Sequence, residues 1–174
     1  MNGLLETERL RLREFTTVDS DFIIALLNSP GWLQFIGNRN VRTKEEAVTY
    51  LEKGPIKSYK ENGFGLWMVE LKETNTPIGM CGIIARPNLE KPDIGFAFLP
   101  EYIGKGYAYE IAAATLDYAR EQLKIPVVYA ITVPDNSSSI RLIEKIGMGY
   151  VKTFCFEGDD EELFLYSTGK STNA

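Results

Sequence analysis

The chain has 174 residues, 44% of them hydrophobic and 25% charged, with a formal net charge of −5. That length suits a single domain with a sizeable core, and an acidic balance without a lysine- or arginine-rich block gives nucleic acid no electrostatic footing. The chain has no histidine, which excludes a Ser-His-Asp triad, a Cys-His pair and a histidine zinc site. Proton transfer is left to carboxylates, Tyr, Ser, Cys, Lys or water.

In chain order, Arg9–Phe15 (RLRLREF) alternates charged and apolar residues, the pattern of a half-exposed strand. Thr17 and Asp19 offer caps for a helix through DFIIALLN, and WLQFIG suggests a second, short one. Thr43 and Glu46 form a capping-box pattern ahead of a further helix that Gly54–Pro55 breaks. The period then changes. Gly65–Leu71, Ile78–Ala85 and Asp93–Leu99 read as three strands joined by turn-rich segments, that is, two antiparallel hairpins in succession. A helix from Tyr107 to about Lys124 follows, with Ile111, Ala112, Thr115, Leu116 and Ala119 on one face. Val127–Val133 is a strand rich in β-branched residues, DNSSSIRLIEKIG a capped helix ending at Gly147, and the remainder a hairpin about Gly158–Asp160. The two cysteines, Cys81 and Cys155, lie in apolar runs and are expected as buried, reduced thiols.

The stretch PEYIGKGYAYE, Pro100–Glu110, carries most of the functional signal. It joins a strand to a helix, and the amides at a helix start lack intrahelical partners and sit at the positive end of the dipole. Glycines permit positive φ and a close approach of ligand to backbone, so the loop is suited to phosphate oxygens. A tight strand-to-helix turn with no ligand is the competing explanation. A P-loop needs Ser or Thr after its Gly-Lys, where Gly106 and Tyr107 stand here, and the dinucleotide fingerprint needs a glycine at Tyr109.

PEYIGKGYAYEIAAATLDYA resembles the acetyl-CoA loop and helix of the GNAT N-acetyltransferase superfamily, in the branch of ribosomal-protein N-terminal alanine acetyltransferases. Pro100, Glu101, Tyr102, Gly104, Lys105, Gly106, Tyr107 and Ala108 match that branch, and Ile103 replaces its tryptophan. LETERLRLREFTTVDSDFIIALLN resembles its opening strand and helix. DNSSSIRLIEKIGM resembles its second cofactor motif, through Asn136, Ser139, Arg141, Glu144, Lys145 and Gly147, with Met148 for phenylalanine.

The resemblance implies an α+β GNAT fold: a mixed, mostly antiparallel sheet, one parallel pair splayed into a cofactor cleft, and helices on both faces. One domain over residues 1–170 with a tail at 171–174 is expected. The implied activity is direct acetyl transfer from acetyl-CoA to a primary amine: a protein N-terminus, an amino acid or a small amine. A non-catalytic acyl-CoA sensor or scaffold is the alternative. The implied cofactor residues are Phe98, Leu99, Gly104, Lys105, Gly106, Tyr107, Ala108, Asn136 and Arg141, with no metal. The tyrosine many members use as general acid is Ile143 here, so the acid passes to Ser139; Asp93 is the candidate base, with Glu101 second. Asn136 also reads as a helix cap, and Asp93 and Glu101 as ordinary solvated carboxylates. Trp32, Phe35, Phe154 and Phe156 are candidate walls of the acceptor site; the acidic hairpin tip Asp159–Glu162 reads first as a solvated turn, with attraction of a cationic amine as the alternative. MNGLLETERL lacks a signal-peptide pattern and no apolar run suits a membrane span, so a cytoplasmic protein without nucleic-acid or membrane partners is expected; a homodimer is left open.

Overall fold

In the computed structural model, residues 3–169 are described. The expected tail at 171–174, with residue 170, lies outside them. The first strand pattern, Arg9–Phe15, holds β2 (Leu10–Arg13), and a short strand the pattern did not include, β1 (Leu5–Glu6), precedes it. A short 3-10 turn leads into α1 (Ser20–Leu27), followed by α2 (Pro30–Phe35), α3 (Lys44–Lys53) and α4 (Pro55–Asn62). The meander is β3 (Leu66–Leu71), β4 (Pro77–Ile84) and β5 (Asp93–Phe98); then come α5 (Tyr107–Glu121), β6 (Tyr129–Thr132), α6 (Ser137–Lys145), β7 (Gly149–Phe154) and β8 (Leu163–Ser167).

Local chemistry accounts for the boundaries. Thr43 Oγ1 accepts from the Glu46 amide at 3.1 Å and starts α3. Pro55 opens α4 at a position where a missing N–H costs nothing. Asp19 does not cap α1 with its side chain. Its carboxylate instead accepts from the Thr16 amide at 2.9 Å and from both Nη atoms of Arg13 at 2.9 Å, which ties the entry of α1 to β2.

The strands form one sheet in the order β1-β2-β3-β4-β5-β6-β8-β7. Every neighbouring pair is antiparallel except β5 and β6, which the crossover helix α5 joins. Alternation along the strands builds two cores. Leu10, Leu12, Trp67, Val69 and Ile83 pack with Ile111, Ala112 and Ala119 of α5 and Ile143 of α6. Met68 and Met80 face the other way, against Ile23, Leu26 and Leu27 of α1, Trp32 of α2, and Ala47 and Leu51 of α3. Helices therefore cover both faces, and each buried aliphatic side chain contributes about 1.5–3 kcal/mol of transfer free energy.

Two expectations need correction. Cys81 is buried, but Cys155 is exposed: it lies just past the end of β7, between Phe154 and Phe156, whose rings pack edge to face at 5.1 Å and leave the thiol outside. Trp32, expected as a wall of the acceptor site, lies in the core under α2 at 6% exposure.

Candidate active site

The parallel pair is almost unmade. β5 pairs with β4 over six rungs, from Gly79–Phe98 to Ile84–Asp93, and β6 pairs with β8 over four. Between β5 and β6 there is one rung, Asp93–Tyr129, where the Tyr129 amide donates to the Pro92 carbonyl at 2.8 Å. Beyond it the strands diverge into a wedge, closed at Asp93 and open at Phe98. The hydrogen-bond phase tells which groups line it. The Leu99 amide donates to Ile78 at 2.9 Å, and its carbonyl accepts from Tyr102. Leu99, Ala97 and Gly95 thus turn their backbone groups toward β4, while Phe96 and Phe98 turn theirs into the wedge. On the other wall, Thr168 bonds Val128, so Ile131 and Val133 face the wedge. Of the candidate pair Phe98 and Leu99, only Phe98 presents free backbone groups there.

The open end leads into the Gly-Lys-Gly loop. After one 3-10 turn at Pro100–Tyr102, Gly104 and Gly106 take φ values of +84° and +83°, a region that L side chains avoid. Helix α5 then begins at Tyr107 with no side-chain cap, and the first amide to bond back is Glu110, to Gly106 at 3.1 Å. Among the described residues, the amides of Gly104, Lys105, Gly106, Tyr107, Ala108 and Tyr109 find no protein acceptor. A row of unpaired N–H groups at the positive end of a 15-residue helix fits an anion such as a diphosphate.

The second motif follows the other wall. Asn136 Oδ1 accepts from the Ser139 amide at 3.2 Å and caps α6. The Ser139 hydroxyl, half-buried in that first turn, has no hydrogen-bond partner among the described residues. Arg141 is exposed, while Ile143, in the place of the absent tyrosine, is buried in the core.

Asp93 is not the solvated carboxylate its residue type suggests. It is 1% exposed, and its Oδ1 accepts from Arg86 Nε at 2.8 Å. Burial raises its pKa above the ordinary aspartate range, and the Arg86 charge and hydrogen bond only partly oppose this. A buried carboxyl with raised pKa is a stronger base than a surface aspartate. Glu101 is exposed. No hydrogen bond joins Asp93 to Ser139: one stands at the closed end of the wedge, the other follows its open end.

On the α3 side, a groove of about 500 Å³ is lined by Tyr50, Lys53, Ser58, Leu66 and Ile84. A Cβ on Gly95 would meet Ile84 Cδ1 at 3.0 Å and Leu66 Cδ2 at 3.3 Å, so these lining side chains lie over β5 between Asp93 and Phe96. Tyr50 also borders an adjoining hollow of about 410 Å³ with Arg39 and Glu46. Burial raises the Tyr50 pKa against the charges of Arg39 and Arg86. Neither Tyr50 nor Arg86 carries a sequence signature: their relevance comes from packing on β5. The acidic tip is an exposed turn, in line with its solvated reading, and Asp159 accepts there from the Glu161 amide at 2.9 Å.

A splayed parallel pair, an uncapped helix start behind a Gly-Lys-Gly loop and a capped Asn-x-x-Ser helix make up the frame that the GNAT resemblance implies. The family model for the GNAT acetyltransferase domain matches residues 9–149, and the chain belongs to that family of acetyltransferases. It is 36% identical over 155 residues to the uncharacterized protein YkkB of Bacillus subtilis (strain 168), covering 86% of this chain and 87% of the other. It is similar to the crystal structure of an acetyltransferase from Agrobacterium tumefaciens (TM-score 0.80, 26% identity, 95% and 94% coverage). It shares its fold with RimL, a ribosomal L7/L12 alpha-N-protein acetyltransferase solved in complex with coenzyme A (TM-score 0.80, 15% identity, 95% and 97% coverage). Among the described residues no helix is long and apolar enough to cross a membrane.

Proposed function

We propose that the protein moves the acetyl group of acetyl-CoA directly to a primary amine: a protein N-terminus, an amino acid or a small amine. The observation that carries this reading is the unpaired run of amides from Gly104 to Tyr109 opening onto the β5–β6 wedge. Gly104, Lys105, Gly106, Tyr107 and Ala108 would hold the diphosphate. The backbone of Phe98, with Phe96, would take the pantetheine amides as an added strand would. Asn136 and Arg141 flank the same end from α6. Acetyl-CoA supplies an activated thioester, and no covalent enzyme adduct is needed because an amine is already a competent nucleophile toward it.

The chain's own work is then positioning and proton movement. The acceptor enters through the groove beside Tyr50 and meets the wedge near its closed end. Asp93 receives the proton that leaves the ammonium nitrogen. An amide of Phe96 or Phe98 faces the carbonyl oxygen as negative charge develops on it. As the new C–N bond forms and the C–S bond breaks, the nitrogen gives up its second proton to water, the Ser139 hydroxyl gives a proton to the departing sulfur, and water at the open end of the wedge returns one to the serine.

The test is thiol release from acetyl-CoA across a panel of amines covering peptides with free N-termini, amino acids, polyamines and aminoglycosides. Release with at least one amine is expected. Tight acetyl-CoA binding with no release for any of them would overturn catalysis in favour of an acyl-CoA sensor.

A further inference from the structure

The turn between β1 and β2 reaches across the molecule to the start of α5. Arg9 Nε donates to Glu110 Oε1 at 2.8 Å, the Arg9 amide donates to Glu110 Oε2 at 3.0 Å, and Thr7 Oγ1 donates to the same oxygen at 2.6 Å. Arg9 Nη1 donates to the Lys105 carbonyl at 3.1 Å, and the guanidinium carbon lies 4.5 Å from the Tyr107 ring centroid. One side chain thus grips the middle of the Gly-Lys-Gly loop, the first helical residue behind it and a carboxylate in the first turn of α5. Its remaining nitrogen, Nη2, has no acceptor among the described residues and lies 3.3 Å from where a Cβ on Gly106 would stand. A side chain at 106 would crowd this guanidinium; glycine leaves it lying against the loop.

The charges agree with the geometry. Hydrogen bonding to Glu110 raises the Arg9 pKa against a smaller desolvation effect. Burial would raise the Glu110 pKa, but the hydrogen bonds from Thr7 and Arg9 outweigh it and hold the carboxyl below its ordinary value. The pair is charged at neutral pH, so the loop has a fixed cation beside it. Nε is spent on Glu110 and Nη1 on the Lys105 carbonyl, which leaves Nη2 as the arm free for an incoming anion.

We propose that Arg9 is a positioning and binding residue of the phosphate cradle: it holds the Lys105 carbonyl so that the Gly104–Ala108 amides converge, and it offers Nη2 to the diphosphate. This rests on the acetyl-CoA reading above. Planar, multidentate bonding makes the role one for arginine rather than lysine.

The experiment compares two donors on the full chain: acetyl-CoA, and acetyl-pantetheine, which keeps the thioester but has no phosphate. Arg9→Ala is expected to raise the KM for acetyl-CoA by about tenfold or more, the order expected for charge-assisted bonds at a partly exposed site, with less than about a twofold change for acetyl-pantetheine. Arg9→Lys is expected to recover only part of the loss, and Arg120→Ala, on the exposed far end of α5, to change neither donor. Equal losses for both donors in Arg9→Ala would show a general structural role and overturn the proposal, as would an unchanged KM for acetyl-CoA. Failure of the wild-type protein to use or bind acetyl-CoA at all would instead sink the parent reading, a distinct result.

Discussion

Three glycines share nearly one backbone conformation but not one environment, and substituting each with alanine separates strain from ligand contact. Gly104, Gly106 and Gly147 have φ of +84°, +83° and +94°. Holding an L residue there costs about 1–2 kcal/mol at each position. For a chain of this size that lowers Tm by about 2–8 °C, similarly in all three variants. Around Gly104 and Gly147 no protein atom lies within 4 Å of the added methyl group, and at Gly106 only Arg9 Nη2 comes near, at 3.3 Å. The methyl at 104 or 106 therefore crowds what rests on the loop. Loss of one amide-to-phosphate bond at about 1.5–3 kcal/mol weakens acetyl-CoA by roughly tenfold to a hundredfold. Calorimetric titration with acetyl-CoA, beside thermal melts, reads both effects. Gly104→Ala and Gly106→Ala are expected to lose affinity and Gly147→Ala to keep it. Equal affinity in all three, at equal cost in Tm, would refute the assignment of the loop.

Other consequences follow from the same geometry. Because burial raises the Asp93 pKa, the acid limb of the rate profile should lie above the ordinary aspartate range and vanish in Asp93→Asn; a limb retained in that variant would remove Asp93 as the base. For stability the sign is opposite: the native state keeps this proton longer than the unfolded chain, so the contribution of Asp93 falls as pH rises through its raised pKa. Ser139→Ala should lower kcat with near-normal acetyl-CoA affinity, and wild-type turnover would end its assignment as acid. Asn136→Ala should cost about 1 kcal/mol through loss of the α6 cap whether or not a ligand is bound, read by denaturant melts; no loss would contradict the cap. The Cys81 thiol is fully buried and pushed up to about 12 by desolvation, whereas Cys155 is exposed, so a thiol reagent should titrate one cysteine in the native protein and two after unfolding.

Much of the frame was legible in the sequence because it is local. Short apolar runs bounded by turn-rich segments gave β3 to β5, the Thr43–Glu46 spacing gave the start of α3, and glycines flanking Lys105 marked a strand-to-helix junction suited to a ligand. What was not legible is what distance in sequence hides. Arg9 and Glu110 are 101 residues apart, and no periodicity links them. Asp93 looks like a surface residue until β4, β6 and Arg86 close round it. An apolar run could not tell that Cys155 is left outside while its neighbours pack together, since it does not show that β7 ends at Phe154. Nor could the closing hairpin say that β8 rather than β7 would add to β6, because both strands carry enough apolar residues to pair there.

The most direct test of the central claim is residue-level amide hydrogen exchange with and without saturating acetyl-CoA. In the free protein the amides from Gly104 to Tyr109, and those of Phe96 and Phe98, have no protein partners and should exchange fast. With acetyl-CoA bound, these same amides should become protected as a group. Unchanged exchange at the loop and in the wedge, with the cofactor demonstrably bound, would place the ligand elsewhere and contradict the account.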